Sequence, residues 1–194
     1  YGVLEDCDLI TRAVRVVNKG DGTVRLRRCA SLCLDFQRDD LDFITFDGCH
    51  TLERNRNRSP LRPGVQSIES VRGTSSHHHN PFVILCDHQA NEDYGLCYGA
   101  MLVYSGNFQA AAKRTQLENS RLLIGVNPYH FCFDLAPGES FTAPEAALVC
   151  SPAGFGPMSR QYHRAIRNHL IRDPYQGRRR PVLINNWEAT EFSF

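Results

Sequence analysis

The chain has 194 residues, of which 42% are hydrophobic and 22% are charged, and its formal net charge is +1. This composition is typical of a globular protein with enough chain to bury a core in one large or two small domains. The balanced charge offers no field that would attract nucleic acid or an anionic membrane. No apolar run approaches the roughly 20 residues of a membrane-spanning helix. We therefore expect neither nucleic acid nor membrane as a partner.

The first residues leave the location of the protein open. Segment 1–6 has no initiating methionine and no signal-peptide pattern, so both ends of the chain are expected to be cut. The localisation is accordingly unknown from the sequence.

Most of the chain up to residue 150 has the pattern of β-strands. Segment 24–36 alternates most regularly, with one apolar face interrupted by Arg28. Turn residues follow at 19–23 and 136–139, where glycines permit positive φ. Strands are predicted at 8–18, 24–36, 41–46, 80–86, 97–104, 121–126, 131–135 and 145–150. This spacing indicates a large antiparallel sandwich.

The eight cysteines give weak support to disulfides or metal sites. Cys29 and Cys33 are four residues apart on a predicted strand, hence about 13 Å apart, which is too far for a disulfide without a bend. No Cys-x-x-Cys pair occurs. Four further cysteines lie in apolar segments, and we expect them to be buried free thiols: Cys86, Cys97, Cys132 and Cys150.

The period changes to that of a helix over residues 157–171. Its apolar positions are Met158, Tyr162, Ala165, Ile166 and Leu170. A basic stretch, 178–180, then leads to the apolar run 181–184, which predicts a strand buried on both faces. Such a strand needs neighbours, and few residues follow it. We therefore expect the chain to be part of a larger enzyme.

Two polar clusters are candidate sites. Asp39, Asp40 and Asp42 are interpreted as a solvated loop rather than a catalytic pair. Consecutive side chains of an extended segment point to opposite faces, so the run 77–79 of three histidines is not expected to bind a metal. A buried, hydrogen-bonded role at a domain interface is favoured for it.

An arginine series alternates like one face of an extended segment. It consists of Arg54, Arg56, Arg58 and Arg62. Phosphate binding is one reading, but the balanced net charge favours salt bridges between domains or within an oligomer.

Five segments, in order along almost the whole chain, resemble glycoside hydrolase family 36, the α-galactosidases. They are 62–70 (RPGVQSIES), 72–81 (RGTSSHHHNP), 102–108 (LVYSGNF), 135–141 (LAPGESF) and 181–190 (PVLINNWEAT). The family usually has Gln at the position of His78, and Tyr and Asp at those of Glu191 and Ser193. These departures are modest.

The resemblance implies a mainly β protein. An antiparallel β-supersandwich would occupy residues 1–152, a linking helix and basic linker 153–180, and the first strand of a truncated (β/α)8 barrel 181–194. It also implies a parent enzyme that acts as a homotetramer without cofactor or metal.

The implied activity is that of a retaining α-galactosidase, which releases terminal galactose from oligosaccharides of the melibiose or raffinose type. Both catalytic aspartates of the family are expected beyond Phe194, so no catalytic residue is assigned within the chain. Two alternatives stay open: a related galactosyl transferase, and a non-catalytic carbohydrate-binding or oligomerisation sandwich.

Substrate-binding residues are predicted in the tail. Trp187 stands where a barrel strand ends and a catalytic rim begins. An indole face packs well against the apolar C–H patches of a galactose ring. Asn186 and Glu188 flank Trp187 on alternating sides, and one of them is expected to orient a sugar hydroxyl.

Overall fold

The computed structural model describes residues 1–186 together with Thr190 and Ser193. The strands in this part of the chain are β1 (Gly2–Leu4), β2 (Leu9–Arg12), β3 (Arg15–Val17), β4 (Val24–Leu26), β5 (Ala30–Phe36), β6 (Leu41–Cys49), β7 (Leu52–Pro60), β8 (Gly64–Glu69), β9 (Phe82–Asp87), β10 (Cys97–Leu102), β11 (Phe108–Arg114), β12 (Ser120–Val126), β13 (Phe133–Leu135), β14 (Ser140–Thr142) and β15 (Ala146–Ser151). One α-helix, α1 (Phe155–Ala165), continues directly into a π-helical turn, Ile166–Leu170. A 3₁₀ turn, Glu5–Cys7, connects β1 to β2.

The strands form one large sheet and three smaller ones. The large sheet has seven strands in the order β1-β2-β15-β10-β9-β6-β7, and all its pairings are antiparallel. A three-stranded sheet has the order β11-β12-β5. The pairs β13-β4 and β14-β3 form two short ribbons. The predicted antiparallel sandwich is therefore confirmed.

Both faces of the central part of the large sheet are buried, and its strands β6, β9, β10 and β15 each contribute to two separate cores. On β6, Phe43 packs in the core shared with the three-stranded sheet, whereas its neighbour Ile44 packs on the opposite side. Val83 and Ile84 divide in the same way on β9. This alternation explains why the central strands have continuous apolar sequences, a pattern typical of strands that are covered on both faces.

Helix α1 covers the second face of the large sheet. Its buried residues, Phe155, Met158, Tyr162 and Ala165, recur at helical spacing. The Tyr162 hydroxyl donates a hydrogen bond to the Ala147 carbonyl at 3.1 Å, which satisfies the one polar atom of that buried side chain. The helix predicted from the sequence is confirmed, and it begins two residues earlier than expected.

A glycine on the sheet allows this close approach. A Cβ atom added at Gly99 on β10 would lie 2.9 Å from both Met158 Sδ and Tyr162 Cε2. Real Cβ atoms essentially never come so near to other heavy atoms, so a larger residue at 99 would force Met158 and Tyr162 to shift.

Two predicted strands are each divided. Segment 8–18 forms β2 and β3, which belong to different sheets, and segment 24–36 forms β4 and β5. The reason is pairing: β4 bonds to β13, whereas β5 bonds to β12. An alternating pattern predicts extended chain, but it carries no information about where one partner strand gives way to another.

The sequence pattern did not predict several of the strands. Strand β7 is exposed along nearly all of its length, so it lacks the alternation that signals burial. Strands β8 and β11 were also not predicted, and β11 contains three consecutive alanines, Ala110–Ala112, with low strand propensity. Burial in the core rather than intrinsic propensity accounts for β11.

The strand predicted over 181–184 does not form in the described structure. Residues 181–186 have no regular secondary structure. Val182, Leu183 and Ile184 are 91%, 91% and 83% exposed. A strand is held by hydrogen bonds to a neighbouring strand, and no described segment pairs with this one. The predicted burial required neighbouring strands of a larger protein, so it stays a prediction.

All eight cysteines lie in the described residues and are free. Cys86 and Cys97 are buried as predicted, but Cys132 and Cys150 are exposed, which corrects the prediction for those two. Cys150 alternates with the buried Val149 and Ser151 on β15, so its side chain takes the outward direction. Among the described residues, no helix is both long and apolar enough to span a membrane.

Candidate functional site

Asn186 is exposed at the start of the tail. Its carbonyl oxygen accepts hydrogen bonds from the Thr190 amide at 2.9 Å and from the Thr190 hydroxyl at 3.1 Å. The other two predicted substrate contacts, Trp187 and Glu188, lie outside the described residues. The sugar-binding roles of all three therefore stay predictions.

The linker before the tail is fastened to the end of the helix. Gln176 Nε2 donates hydrogen bonds to the carbonyls of Arg167 at 3.1 Å and Asn168 at 2.9 Å. The Arg180 guanidinium lies 5.4 Å from the ring centroid of Tyr175, a cation–π distance. These contacts give the segment that leads to the tail a defined starting point on the π-helical turn.

A polar cleft lies on the sandwich beside the turn after β9. It has a volume of about 370 Å³ and is lined by Arg38, Asp40, Asp87, His88, Gln89 and Tyr94. His88, one of the lining residues, contacts Asp42, whose side chain is only 8% exposed. Arg58 Nε donates to Asp42 Oδ2 at 2.6 Å, and His88 Nδ1 lies 2.5 Å from Asp42 Oδ1. Asp42 is thus a buried, doubly paired carboxylate, and its interpretation as part of a solvated loop is wrong.

Arg58 also binds the backbone of the turn at one side of this cleft. Its terminal nitrogens donate to the carbonyls of Ala90 at 2.6 Å and of Asp87 and His88 at 2.7 Å each. One guanidinium therefore satisfies a buried carboxylate and three carbonyls of the same turn. Arginine suits this task because its planar fork presents several donors in fixed directions.

The other two aspartates of the cluster are also paired. Arg38 donates to Asp40 at 2.7 Å and to Asp87 at 2.8 Å. The hydrogen bond from Arg38 holds the pKa of Asp40 below its ordinary value. Asp39 pairs with Arg114. A glycosidase acid must keep its proton near neutral pH, and the lowered pKa makes Asp40 unsuited to that role.

In the histidine run, His77 and His78 lie in a turn, and His79 forms an isolated antiparallel β-bridge with Asp47. The rings of His77 and His78 lie 4.6 Å apart between centroids, and both residues are exposed. His79 Nδ1 lies 2.7 Å from Asp47 Oδ1, so the predicted hydrogen-bonded role is confirmed for His79. The prediction of burial is wrong for His77 and His78, because the turn carries them away from the sheet.

Two members of the arginine series form salt bridges within the sandwich, whereas the predicted bridges between domains or within an oligomer stay a prediction. Arg58 pairs with Asp42, and Arg56 lies 3.3 Å from Glu92. Arg56 also lies 5.7 Å from the ring centroid of Phe155, the first residue of α1. Guanidinium groups therefore add side-chain contacts to the backbone ladder that joins strand β7 to β6.

One group of metal-ligating side chains was missed in the sequence. Among the described residues, Asp6, Cys7 and His169 place their ligand atoms within 4.8 Å of one another. Asp6 and His169 are 163 residues apart, so no spacing pattern could have joined them.

Comparison with known proteins places this architecture in a family. The sequence model described as the glycosyl hydrolase family 36 N-terminal domain matches residues 1–136, which contain the strands from β1 to β13. The chain belongs to glycosyl hydrolase family 36. A second model, described as Melibiase, matches residues 140–194, which include β14, β15, α1 and the tail.

Relatives of the family 36 chain match it along its whole length. The bifunctional alpha-galactosidase/sucrose kinase AgaSK of Mediterraneibacter gnavus is 48% identical over 194 residues, and the chain spans 21% of that protein. Alpha-galactosidase AgaA of Geobacillus stearothermophilus is 44% identical over the same 194 residues, and the chain spans 27% of that protein. The chain thus covers about a quarter of the length of these relatives.

Solved family 36 structures superpose closely on the chain. The galactosidase domain of AgaSK gives a TM-score of 0.95 at 48% identity over 100% of this chain and 27% of its own. A variant of AgaA from Geobacillus stearothermophilus in complex with raffinose gives 0.92 at 45% identity over 96% of this chain and 26% of its own. The sandwich topology of the chain is therefore that of the family 36 enzymes.

Proposed function

We propose that this chain supplies the sandwich and the approach to the barrel of an α-galactosidase that hydrolyses terminal α-galactosyl groups of raffinose-type oligosaccharides. The observation that carries the proposal is the Melibiase match over 140–194, which includes the predicted substrate-binding residues. The relatives that match the rest of the chain are named alpha-galactosidases. One solved relative holds raffinose and another holds stachyose, both galactosides.

The catalytic pair is proposed to lie on later barrel strands. Retaining glycosidases need a nucleophilic carboxylate and an acid about 5–5.5 Å apart. The aspartates around the polar cleft, Asp40, Asp42 and Asp87, all pair with arginines. Such pairing occupies carboxylate oxygens that would have to react. The cleft is therefore a structural network, and the sandwich supports the chemistry without performing it.

Trp187 is proposed to form a wall for the galactosyl group at the rim of the barrel, with Asn186 or Glu188 bonding to a sugar hydroxyl. Stacking on an aromatic face favours the ring of the sugar over water, and the flanking polar groups fix its orientation. The proposed tetramer would be formed by the complete protein.

Two forms of the protein test the location of the chemistry. The isolated 194-residue chain and the product of the complete reading frame would be assayed with nitrophenyl α-galactoside and with raffinose. We expect turnover from the complete protein alone. Turnover by the isolated chain would contradict the placement of the catalytic pair.

Substitutions in the complete protein test the sugar contact. Trp187→Ala is expected to lower kcat/KM for raffinose by at least tenfold, equivalent to about 1.4 kcal/mol of transition-state binding, and Trp187→Phe by less. Tyr94→Ala, at an exposed aromatic residue of the sandwich, is the matched control and should leave the kinetics unchanged. Equal effects at both positions would rule out a specific role for Trp187.

The products separate hydrolysis from transfer. With raffinose as the sole sugar, a hydrolase accumulates free galactose, whereas a transferase accumulates longer galactosyl oligosaccharides. Light scattering on the same preparation would test the proposed tetramer.

A further inference from the structure

Two turns that are far apart in sequence meet beside the large sheet. The 3₁₀ turn carries Asp6 and Cys7, and the π-helical turn after α1 carries His169. His169 Nε2 lies 3.0 Å from each of the two carboxylate oxygens of Asp6. Asn168 Nδ2, from the same π-helical turn, lies 3.4 Å from Asp6 Oδ2. The imidazole nitrogen is therefore equally far from both carboxylate oxygens, and the Asn168 amide contacts one of these oxygens.

The third possible ligand of this cluster is the thiol of Cys7. Cys7 is fully buried, whereas Asp6 and His169 are exposed. One carboxylate oxygen, the thiol sulfur and one imidazole nitrogen all lie within 4.8 Å of one another. The cluster thus has one buried ligand, Cys7, and two ligands that are open to solvent, Asp6 and His169.

The distances suit a tetrahedral metal ion after small movements. Zinc binds oxygen and nitrogen at about 2.0–2.1 Å and sulfur at about 2.3 Å, so its ligand atoms stand about 3.3–3.6 Å apart. The Asp6–His169 pair must open by about 0.3 Å to reach that spacing, and a pair at the 4.8 Å limit of the cluster must close by roughly 1.2 Å. Because both of these side chains are on the surface, they can make this adjustment without disturbing the core.

The π-helical turn is a second feature that points to a site. Such turns are rare and occur frequently at functional positions. This turn spans Ile166–Leu170, and the Ile171 amide donates to the Ile166 carbonyl at 2.9 Å, which closes the widened turn. It places His169 and Asn168 together over Asp6, where their side chains reach the same carboxylate.

We propose that Asp6, Cys7 and His169 bind one thiophilic divalent cation of the Zn²⁺ type, with water at the fourth position. A carboxylate, a thiolate and a neutral imidazole together supply two negative charges, which balance the charge of the ion. Asp8 and Arg164 are the next charged groups that act on the Cys7 thiol, and their charges oppose each other. The thiol proton leaves to solvent when the ion binds.

The bound ion would join the end of α1 to the beginning of the chain. Binding to the folded state alone stabilises that state by an amount that grows with the logarithm of ligand concentration above the dissociation constant. The thermal unfolding midpoint should therefore rise with Zn²⁺ concentration. Without an ion, the same residues form only an exposed ion pair between Asp6 and His169.

The decisive experiment is a titration of the 194-residue chain, and in parallel of the complete protein, with Zn²⁺ and with Co²⁺ under reducing conditions. We expect saturable binding of one ion per chain and a thiolate-to-cobalt charge-transfer absorption band. His169→Gln and Cys7→Ser should each raise the dissociation constant at least tenfold, and Cys7→Ser should abolish the charge-transfer band.

Matched controls use the same residue types elsewhere. Cys132→Ser and His163→Gln remove an exposed thiol and an exposed imidazole of the same chain. The proposal fails if these variants lose as much affinity as the site variants, if no single saturable site appears, or if the cobalt complex lacks the thiolate band. Because His169 is exposed, His169→Gln keeps the test valid even if Cys7→Ser does not fold.

Discussion

Arg58 Nε donates a hydrogen bond of 2.6 Å to the carboxylate of Asp42, whose side chain is only 8% exposed. Strand β6 provides the carboxylate and the neighbouring strand β7 the guanidinium. His88, the residue after β9, contacts the other oxygen of the same carboxylate. Three adjacent segments are thus joined at one buried charge.

Replacing Arg58 by Ala should destabilise the fold by about 3 kcal/mol, because it leaves a buried carboxylate with an unpaired charge. Urea unfolding followed by circular dichroism measures the change. Arg25→Ala removes an exposed partner of Asp134 and should have a much smaller effect. Similar losses for the two variants would mean that the burial of Asp42 adds nothing to the strength of its pairing.

Adding a methyl group at Gly99 should displace α1 from the sheet. The new Cβ would lie 2.9 Å from Met158 Sδ and Tyr162 Cε2, so Gly99→Ala is expected to cost about 1–3 kcal/mol through overpacking. Gly22→Ala is the control, because a Cβ there meets nothing within 4 Å. The denaturant midpoints of both variants test this, and an unchanged midpoint for Gly99→Ala would refute the close packing of the helix.

The eight thiols should fall into two classes of reactivity. Burial raises the pKa of Cys86 to about 12 and that of Cys97 to about 11, which suppresses the reactive thiolate. Four exposed thiols should react rapidly with an aromatic disulfide reagent: Cys33, Cys49, Cys132 and Cys150. The four buried ones should react only on unfolding: Cys7, Cys29, Cys86 and Cys97. Mass spectrometry of the partly labelled chain identifies each class, and early labelling of Cys86 would contradict the structure.

The stability should fall in acid partly through two arginine-paired carboxylates. Hydrogen bonds from Arg121 and Arg38 lower the pKa values of Asp35 and Asp40, respectively. Because the folded-state pKa lies below the unfolded one, near 3.9, this contribution is complete above about pH 4 and is lost as the pH falls through the folded-state values.

Urea midpoints from pH 6 to pH 2.5 check this sign. The double variant Asp35→Asn/Asp40→Asn should be less stable than the unmodified chain at pH 6, and the difference should shrink toward pH 2.5. A difference that stays constant over this range would show that the two ion pairs do not contribute through ionisation.

The apolar tail should promote association of the isolated chain. Val182, Leu183 and Ile184 are each more than 80% exposed, and consecutive exposed apolar residues of high strand propensity are templates for aggregation. A chain that ends at Arg180 should stay monomeric at concentrations where the 194-residue chain associates. Sedimentation velocity compares the two forms, and identical profiles would show that the tail does not drive association.

The sequence predicted those elements that depend on local periodicity. The alternation in β5 and the helical spacing of Met158 and Tyr162 reflect one buried face each, and both elements are present. The family resemblance came from residue-specific segments, which need no knowledge of packing. The tail was predicted to be a strand because its composition is apolar, but composition cannot supply the neighbouring strand that would hold it.

The sequence by itself determined that this chain is a β-sandwich with a following helix and that it resembles family 36, because both follow from patterns that are written locally. Only the tertiary structure decided that Asp42 is buried and paired, that both faces of the central part of the large sheet are covered, and that Asp6 lies against His169. The physical reason is that burial and pairing depend on which distant segment covers a residue. That choice is made by the cooperative packing of the whole domain, and no window of sequence contains it.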